Sequence, residues 1–149
     1  MAAPADLPDV NVWLALSVSH HPHHRQAVAY WSAEAAAQVG FCRVTMLGLL
    51  RLLTHPRVMG ASAMVSPAAL AVLQQWQRLP EVSLRADPAT LDTAFSHLLQ
   101  NNLPPRLLTD AYLAAFALSG GLRLVTFDKD FGRFPGLNLL LLSTEDTPK

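Results

Sequence analysis

Short apolar runs alternate along the chain with longer stretches in which apolar residues return every three or four positions. These are the respective marks of buried strands and amphipathic helices. The first run predicts a short strand ending at Asp9, then a helix over "NVWLALSV". A second helix is predicted within "HPHHRQAVAYWSAEAAAQ"; Val28, Trp31, Ala35 and Val39 recur at offsets of 3, 7 and 11 and so share one face. "GFCRV" predicts a second buried strand. Thr45 is then placed to cap a helix "MLGLLRLL", which is apolar nearly all round, as suits an interior helix, with Arg51 alone interrupting it.

The rhythm continues downstream. "THPRVMGASAMVSP" reads as a loop by its Pro, Gly and Ser content, and Ser66 and Pro67 suit the cap and first turn of "AALAVLQQWQRL", whose inner face is Ala69, Val72, Leu73 and Trp76. A strand "EVSLRA" precedes a helix "DPATLDTAFSHLLQNN" with Asp87 as cap and Pro88 at its first position. "LPPRLL" reads as a loop, Thr109 as the cap of "DAYLAAFALS", and Gly120-Gly121 as that helix's stop. "LRLVTF" is a strand, and "LNLLLL" another after the turn "FGRFPG". Strands separated by single helices predict a parallel β-sheet with helices on both faces, an α/β fold.

Composition narrows this picture. A chain of 149 residues that is 51% hydrophobic and 15% charged suits one globular domain. Eleven basic and eleven acidic residues leave no net charge, so no bulk basic footprint marks a nucleic-acid partner, and any such partner must be argued from a site. One cysteine, Cys42 among apolar neighbours, excludes a disulfide framework and reads as a buried thiol. The start "MAAPADLP" lacks a basic segment followed by an apolar core, and no run approaches about 18 uninterrupted apolar residues. A cytoplasmic location without membrane contact is the expectation.

Candidate chemistry lies where strands end. In open parallel sheets ligands bind beyond the carboxyl ends of the strands, near the point where strand order reverses. Asp9 follows the first strand; Asp128 and Asp130 follow "LRLVTF"; Asp110 opens the helix before that strand. If the strands are parallel, these carboxylates meet at one edge from opposite ends of the sequence. Two unit charges about 4 Å apart repel by roughly 4 kcal/mol at an effective dielectric near 20, so such a cluster calls for a cation. A hard ion such as Mg²⁺ or Mn²⁺ takes oxygen ligands and keeps waters, and it can activate one of them against a phosphodiester. Plainer roles remain open to the same residues: Asp9 and Asn11 as helix caps, Asp110 as a complement to the helix dipole, Asp128 and Asp130 as a turn.

The histidines of "HHPHH", His20 to His24, carry spacings of three and four that suit a zinc or nickel ion. With Pro22 among them, the solvated start of a helix is the simpler reading. No Ser-His-Asp motif, glycine-rich dinucleotide loop or Walker-type loop is present.

At these residues the chain resembles the PIN-domain ribonucleases, and within them the VapC toxins of bacterial toxin–antitoxin pairs. The resemblance is carried by "DVN" after the first strand, "RVTMLGLLRLLTHPRVMG", "TDAYLAAFA" and "LVTFDKDF", and runs from about residue 6 to 142. It implies a PIN-like, Rossmann-like single domain, dependence on Mg²⁺ or Mn²⁺, and endonucleolytic cleavage of RNA. Asp9, Asp110 and Asp128 correspond to the acidic metal-site residues and Asp130 to an auxiliary acid, while Asn11 and Thr126 are expected to orient the carboxylates. Arg51 is either a snorkelling residue or a phosphate contact. RNA affinity is expected from the metal and a local set of Arg25, Arg43, Arg57, Lys129 and Arg133, with modest salt dependence.

The resemblance also implies a cognate VapB-like antitoxin whose peptide blocks the acidic site, and a homodimer through the "MLGLLRLL" and "AVLQQW" helices. One departure stands out: many PIN domains carry a glutamate where this chain has Gly48. Two other readings follow. A catalytically silent PIN-like module binding RNA or protein would account for Gly48; an aspartate-based phosphatase or receiver-like domain is disfavoured by "DVN" where "DxD" is needed.

Overall fold

The computed structural model describes residues 4–145. Its centre is a five-stranded, wholly parallel sheet in the order β3-β2-β1-β4-β5. The strands are β1 (Ala5–Pro8), β2 (Gln38–Phe41), β3 (Val82–Leu84), β4 (Arg123–Thr126) and β5 (Leu139–Leu141). The chain builds outward from β1 through β2 to β3, then returns to the other side of β1 for β4 and β5. Strand order therefore reverses between β1 and β4.

Seven α-helices cover the sheet among the described residues: α1 (Val10–Ser17), α2 (His24–Ala33), α3 (Arg43–Leu53), α4 (Pro56–Met59), α5 (Ser66–Gln77), α6 (Leu91–Leu99) and α7 (Leu108–Gly120). Alternation along the strands divides the interior in two. Val39, Phe41, Val82 and Val125 face a core built with α1, α2, α3 and α5, in which Trp13 stacks on Phe41 with ring centroids 3.9 Å apart. Ala5, Leu7 and Leu124 face the opposite core, built with α6 and α7. No single helix among the described residues is long and apolar enough to cross a membrane.

Several local expectations shift. The second helix ends at Ala33, so Val28, Trp31, Ala35 and Val39 are not one face: Val28 is 41% exposed and Val39 lies in β2. Ala27 and Tyr30 are the residues α2 buries, because the chain must turn early to place "QVGF" in the sheet. Caps also sit one to three residues from their predicted places. Cys42 caps α3, with Thr45 as its reciprocal partner in a capping box: the Cys42 N–H donates to Thr45 Oγ1 at 3.0 Å. Val65, Thr90 and Leu107 occupy the cap positions assigned to Ser66, Asp87 and Thr109. Helix α3 is not interior: it buries Thr45, Leu49 and Leu53 but leaves Leu47 exposed. The loop after it contains α4 and a 3-10 turn at Gly60–Ser62, and "LPPRLL" holds a second 3-10 turn, Pro105–Leu107. Other expectations hold. Ala69 and Leu73 are buried on α5, Val72 and Trp76 pack beside them, and Gly121, with φ +64°, stops α7 in the left-handed conformation.

Candidate active site

The reversal of strand order opens the sheet's carboxyl edge between β1 and β4. Asp9 stands there as the N-cap of α1, its Oδ1 accepting from the Val10 N–H at 2.7 Å. Its other oxygen, Oδ2, accepts from the Thr126 hydroxyl at 2.9 Å, a contact that ties the end of β1 to the end of β4. Thr126 is wholly buried, and its Oγ1 also accepts the Asp128 N–H at 3.0 Å and the Asn11 amide at 3.4 Å. Asn11 Oδ1 in turn accepts from the Phe127 N–H at 3.5 Å. Thr126 and Asn11 thus fix both the first aspartate and the turn that carries the next.

Asp128 caps the 3-10 turn Lys129–Arg133, its Oδ1 accepting from the Asp130 N–H at 2.9 Å. Asp130 projects to the outside, where Arg106 Nη1 meets its Oδ2 at 3.1 Å in a solvated pair. Asp110 lies in the first turn of α7, where the helix dipole favours a carboxylate. Burial pushes its pKa up to about 6, with the nearby charges of Asp9, Asp128 and Asp130 adding to the shift and Arg106 opposing it. Burial also raises Asp9, with Thr126 and the Val10 N–H holding it back and Asp128 adding a smaller push. Four carboxylates from three parts of the chain therefore share one field. Among the described residues no three His, Cys, Asp or Glu side chains form a ready metal cage. The oxygen donors and their mutual repulsion nonetheless suit a hard divalent cation that keeps waters in its shell and uses one or two carboxylates.

A domain model described as PIN domain matches residues 7–137. The chain belongs to the PIN-domain family. It is 40% identical over 147 residues to Ribonuclease VapC41 of Mycobacterium tuberculosis, covering 92% of this chain and 98% of the relative. Ribonuclease VapC33 of the same organism is 31% identical over 134 residues, covering 88% and 93%. Among solved structures, M. tuberculosis VapC20, a Sarcin-Ricin loop cleaving toxin, superposes with a TM-score of 0.66 at 20% identity over 89% of this chain and 96% of that one. VapBC2 from Rickettsia felis, solved with a DNA fragment from their promoter, gives 0.66 at 13% identity over 93% and 99%.

Within this PIN domain the place of the frequent glutamate is filled. A Cβ on Gly48 of α3 would stand 2.5 Å from Cγ2 of Val10, so the side chain next to Asp9 occupies the space a glutamate stem needs. Gly48 and Val10 line a groove of about 670 Å³ beside Asp9, with Leu47, Val58, Leu113 and the exposed Arg51. Arg57 borders the same groove, whereas Arg25 lines a separate hollow with Glu34 and Ser143. Lys129 and Arg133 follow Asp128 on the 3-10 turn. The histidines lead into α2 but are not a solvated run: His24 Nδ1 lies 2.7 Å from the Ala15 carbonyl oxygen and His23 packs on Phe127 with ring centroids 5.1 Å apart.

Sequence reasoning missed Arg106, which stands four positions before Asp110 in a segment read as loop. It also missed Asp6, which is wholly buried in β1. Asp6 Oδ1 accepts from Arg123 Nε at 2.8 Å, and Oδ2 accepts from Arg123 Nη2 at 3.0 Å, the Tyr30 hydroxyl at 2.6 Å and the Ala36 N–H at 3.0 Å. Opposite charges inside two apolar strands were the available signal; parallel register pairs those two residues directly.

Proposed function

We propose that this PIN-domain protein is a VapC-type endoribonuclease, the toxin of a VapBC-type toxin–antitoxin pair, dependent on Mg²⁺ or Mn²⁺. The observation that carries the reading is the convergence of Asp9, Asp110 and Asp128 at the switch point, with Asp110 held near a pKa of 6 by burial and its acidic neighbours. Such a site is poor at holding its own charge and suited to holding a cation. The ribonuclease names of relatives at 31% and 40% identity, matched over nearly their whole length, support the activity. Solved VapBC assemblies among the fold neighbours support an antitoxin partner.

Asp9, Asp110 and Asp128 would hold the ion, and when bound it supplies an activated water and steadies the leaving oxygen of an RNA phosphodiester. The chain's own part is positional. Thr126 aims Asp9 by donating to Oδ2, and Asn11 braces the turn behind it. The Asp130 N–H holds Asp128 Oδ1, while Arg106 draws the Asp130 carboxylate outward, leaving it an auxiliary role. Arg51, exposed on the groove beside Asp9, would meet a backbone phosphate. A homodimer would draw on exposed apolar residues of α3 and α5, such as Leu47 and Leu70.

Cleavage of a structured RNA mixture by the purified protein tests this directly. Cutting is expected with Mg²⁺ or Mn²⁺, and is expected to vanish with EDTA and in Asp9→Asn. The Val10-filled space at Gly48 favours one other reading, a silent PIN-like module. RNA binding without cleavage under any divalent ion would select it and sink the nuclease.

A further inference from the structure

The carboxyl edge of the sheet carries a second feature beside the acids. Hydrogen bonds continue the strand register past the last paired residues: the Asp9 N–H donates to the Val125 carbonyl at 2.8 Å and the Arg85 N–H to the Phe41 carbonyl at 2.7 Å. Extending the pairings Asp6 with Val39 and Val39 with Val82 brings Asp9, Cys42 and Arg85 into one row across three strands. Neighbouring strands lie about 4.8 Å apart, so the Arg85 backbone is about 10 Å from that of Asp9 along the same edge. Arg43 follows Cys42 and opens α3.

Arg85 is held in an unusual way. Its stem lies across β2 at Gly40, where an added Cβ would stand 2.7 Å from Arg85 Cγ and 3.2 Å from Nε. Gly40 belongs to the sheet face opposite Val39 and Phe41, so Arg85 roofs that face at its β2–β3 end. The Nε is buried against the sheet without an acceptor, which costs free energy. Arg43 and Arg85 line one hollow of about 370 Å³ with Leu84, Ala86 and Asp87. Among the described residues neither arginine is in a salt bridge, with Asp87 or any other carboxylate. Arg43 also sits in the first turn of an eleven-residue helix, where the dipole disfavours a lone cation and welcomes an anion.

We infer that Arg43 and Arg85 form a phosphate clamp for the RNA strand, gripping a backbone phosphodiester beside the one at the Asp9 cluster. The inference rests on the nuclease reading and gives the substrate a direction along the edge, from the acids toward β3. Two arginines seat a phosphate through their forked N–H groups. The neutral overall charge then poses no obstacle, because the cations lie where the strand runs.

The test is fluorescence anisotropy of a labelled single-stranded RNA in EDTA, which stops cleavage, at about 50 to 200 mM salt. Wild type is compared with Arg43→Ala/Arg85→Ala and Arg43→Lys/Arg85→Lys, each checked for a native melting transition. The alanine pair is expected to weaken binding about tenfold and to flatten the slope of log K against log salt by about 0.7, the share of one single-strand phosphate. The lysine pair should keep the slope while binding more weakly than wild type. With metal added, the alanine pair should raise KM on a long RNA and leave kcat and cleavage of a dinucleotide unchanged. A folded alanine pair with wild-type affinity and slope, in a protein whose wild type cuts RNA, would overturn the clamp alone. Failure of the wild type to bind or cut RNA would overturn the nuclease reading and the clamp together.

Discussion

The surroundings of Asp110 raise its proton affinity, and its titration gives a test that needs no substrate. Its pKa rises from 3.8 to about 6 on folding, through burial and the charges of Asp9, Asp128 and Asp130. Between those two values the unfolded chain has released the proton while the folded one retains it, so stability falls as pH rises through that window. Thermal unfolding in EDTA should show a Tm that drops from about pH 4 to about pH 6 in wild type. Asp110→Asn should flatten that drop and raise Tm above the window, since the amide removes a repelled charge while ending cleavage. A Tm that climbs over this range in wild type and not in the variant would contradict the assignment. At Gly48 the argument is steric. Gly48→Glu alone forces a Cβ onto Val10 and should cost about 1–3 kcal/mol in denaturant unfolding. In a Val10→Ala background the nearest atom becomes the residue-10 Cβ at 3.5 Å, and Gly48→Ala should be neutral or stabilising, because alanine outranks glycine in a helix.

Between residues and fold, the elements separate what local pattern can say from what it cannot. The strands, the parallel class and the acids at strand ends were legible because period and position carry them: buried runs between helices place Asp9 and Asp128 at one edge whatever the loops do. Of the caps only Asp9 was legible, because a serine, threonine or aspartate within three residues of a helix start looks like a cap in sequence. The end of α2 was missed because alanines and one periodic stripe continue the helical signal through residues that the sheet claims as β2. The Asp6–Arg123 pair was missed for another reason: its two charges inside apolar strands are 117 positions apart and meet only through β1–β4 register. Removing one member of such a pair strands the other, so Asp6→Ala should cost about 3 kcal/mol in urea unfolding. Tyr30→Phe, which removes one hydrogen bond to the same carboxylate, should cost about 1 kcal/mol. Equal small losses from both would mean that the network contributes little to the junction of β1, β4 and α2.

At the scale of the molecule, stability and the proposed activity draw on opposite edges of one sheet. The amino-terminal end of β1 is clamped by Asp6, Arg123 and Tyr30, while the carboxyl-terminal end gathers repelling acids beside Thr126. A divalent ion bound only by the folded state should therefore raise Tm as its concentration grows, by about 2.7 kcal/mol of added stability at one hundred times Kd. Differential scanning calorimetry with Mg²⁺ or Mn²⁺ checks this, and Asp9→Asn should respond little. An equal shift in both proteins would place the ion elsewhere. The junction between β1 and β4 has a consequence in time as well as in space. Asp9 emerges early during synthesis, yet its partner hydroxyl on Thr126 arrives 117 residues later. Throughout that interval a nascent chain carries the first acid without the strand that completes the edge. The edge that holds the acids is complete only once Thr126 and Asp128 have joined it.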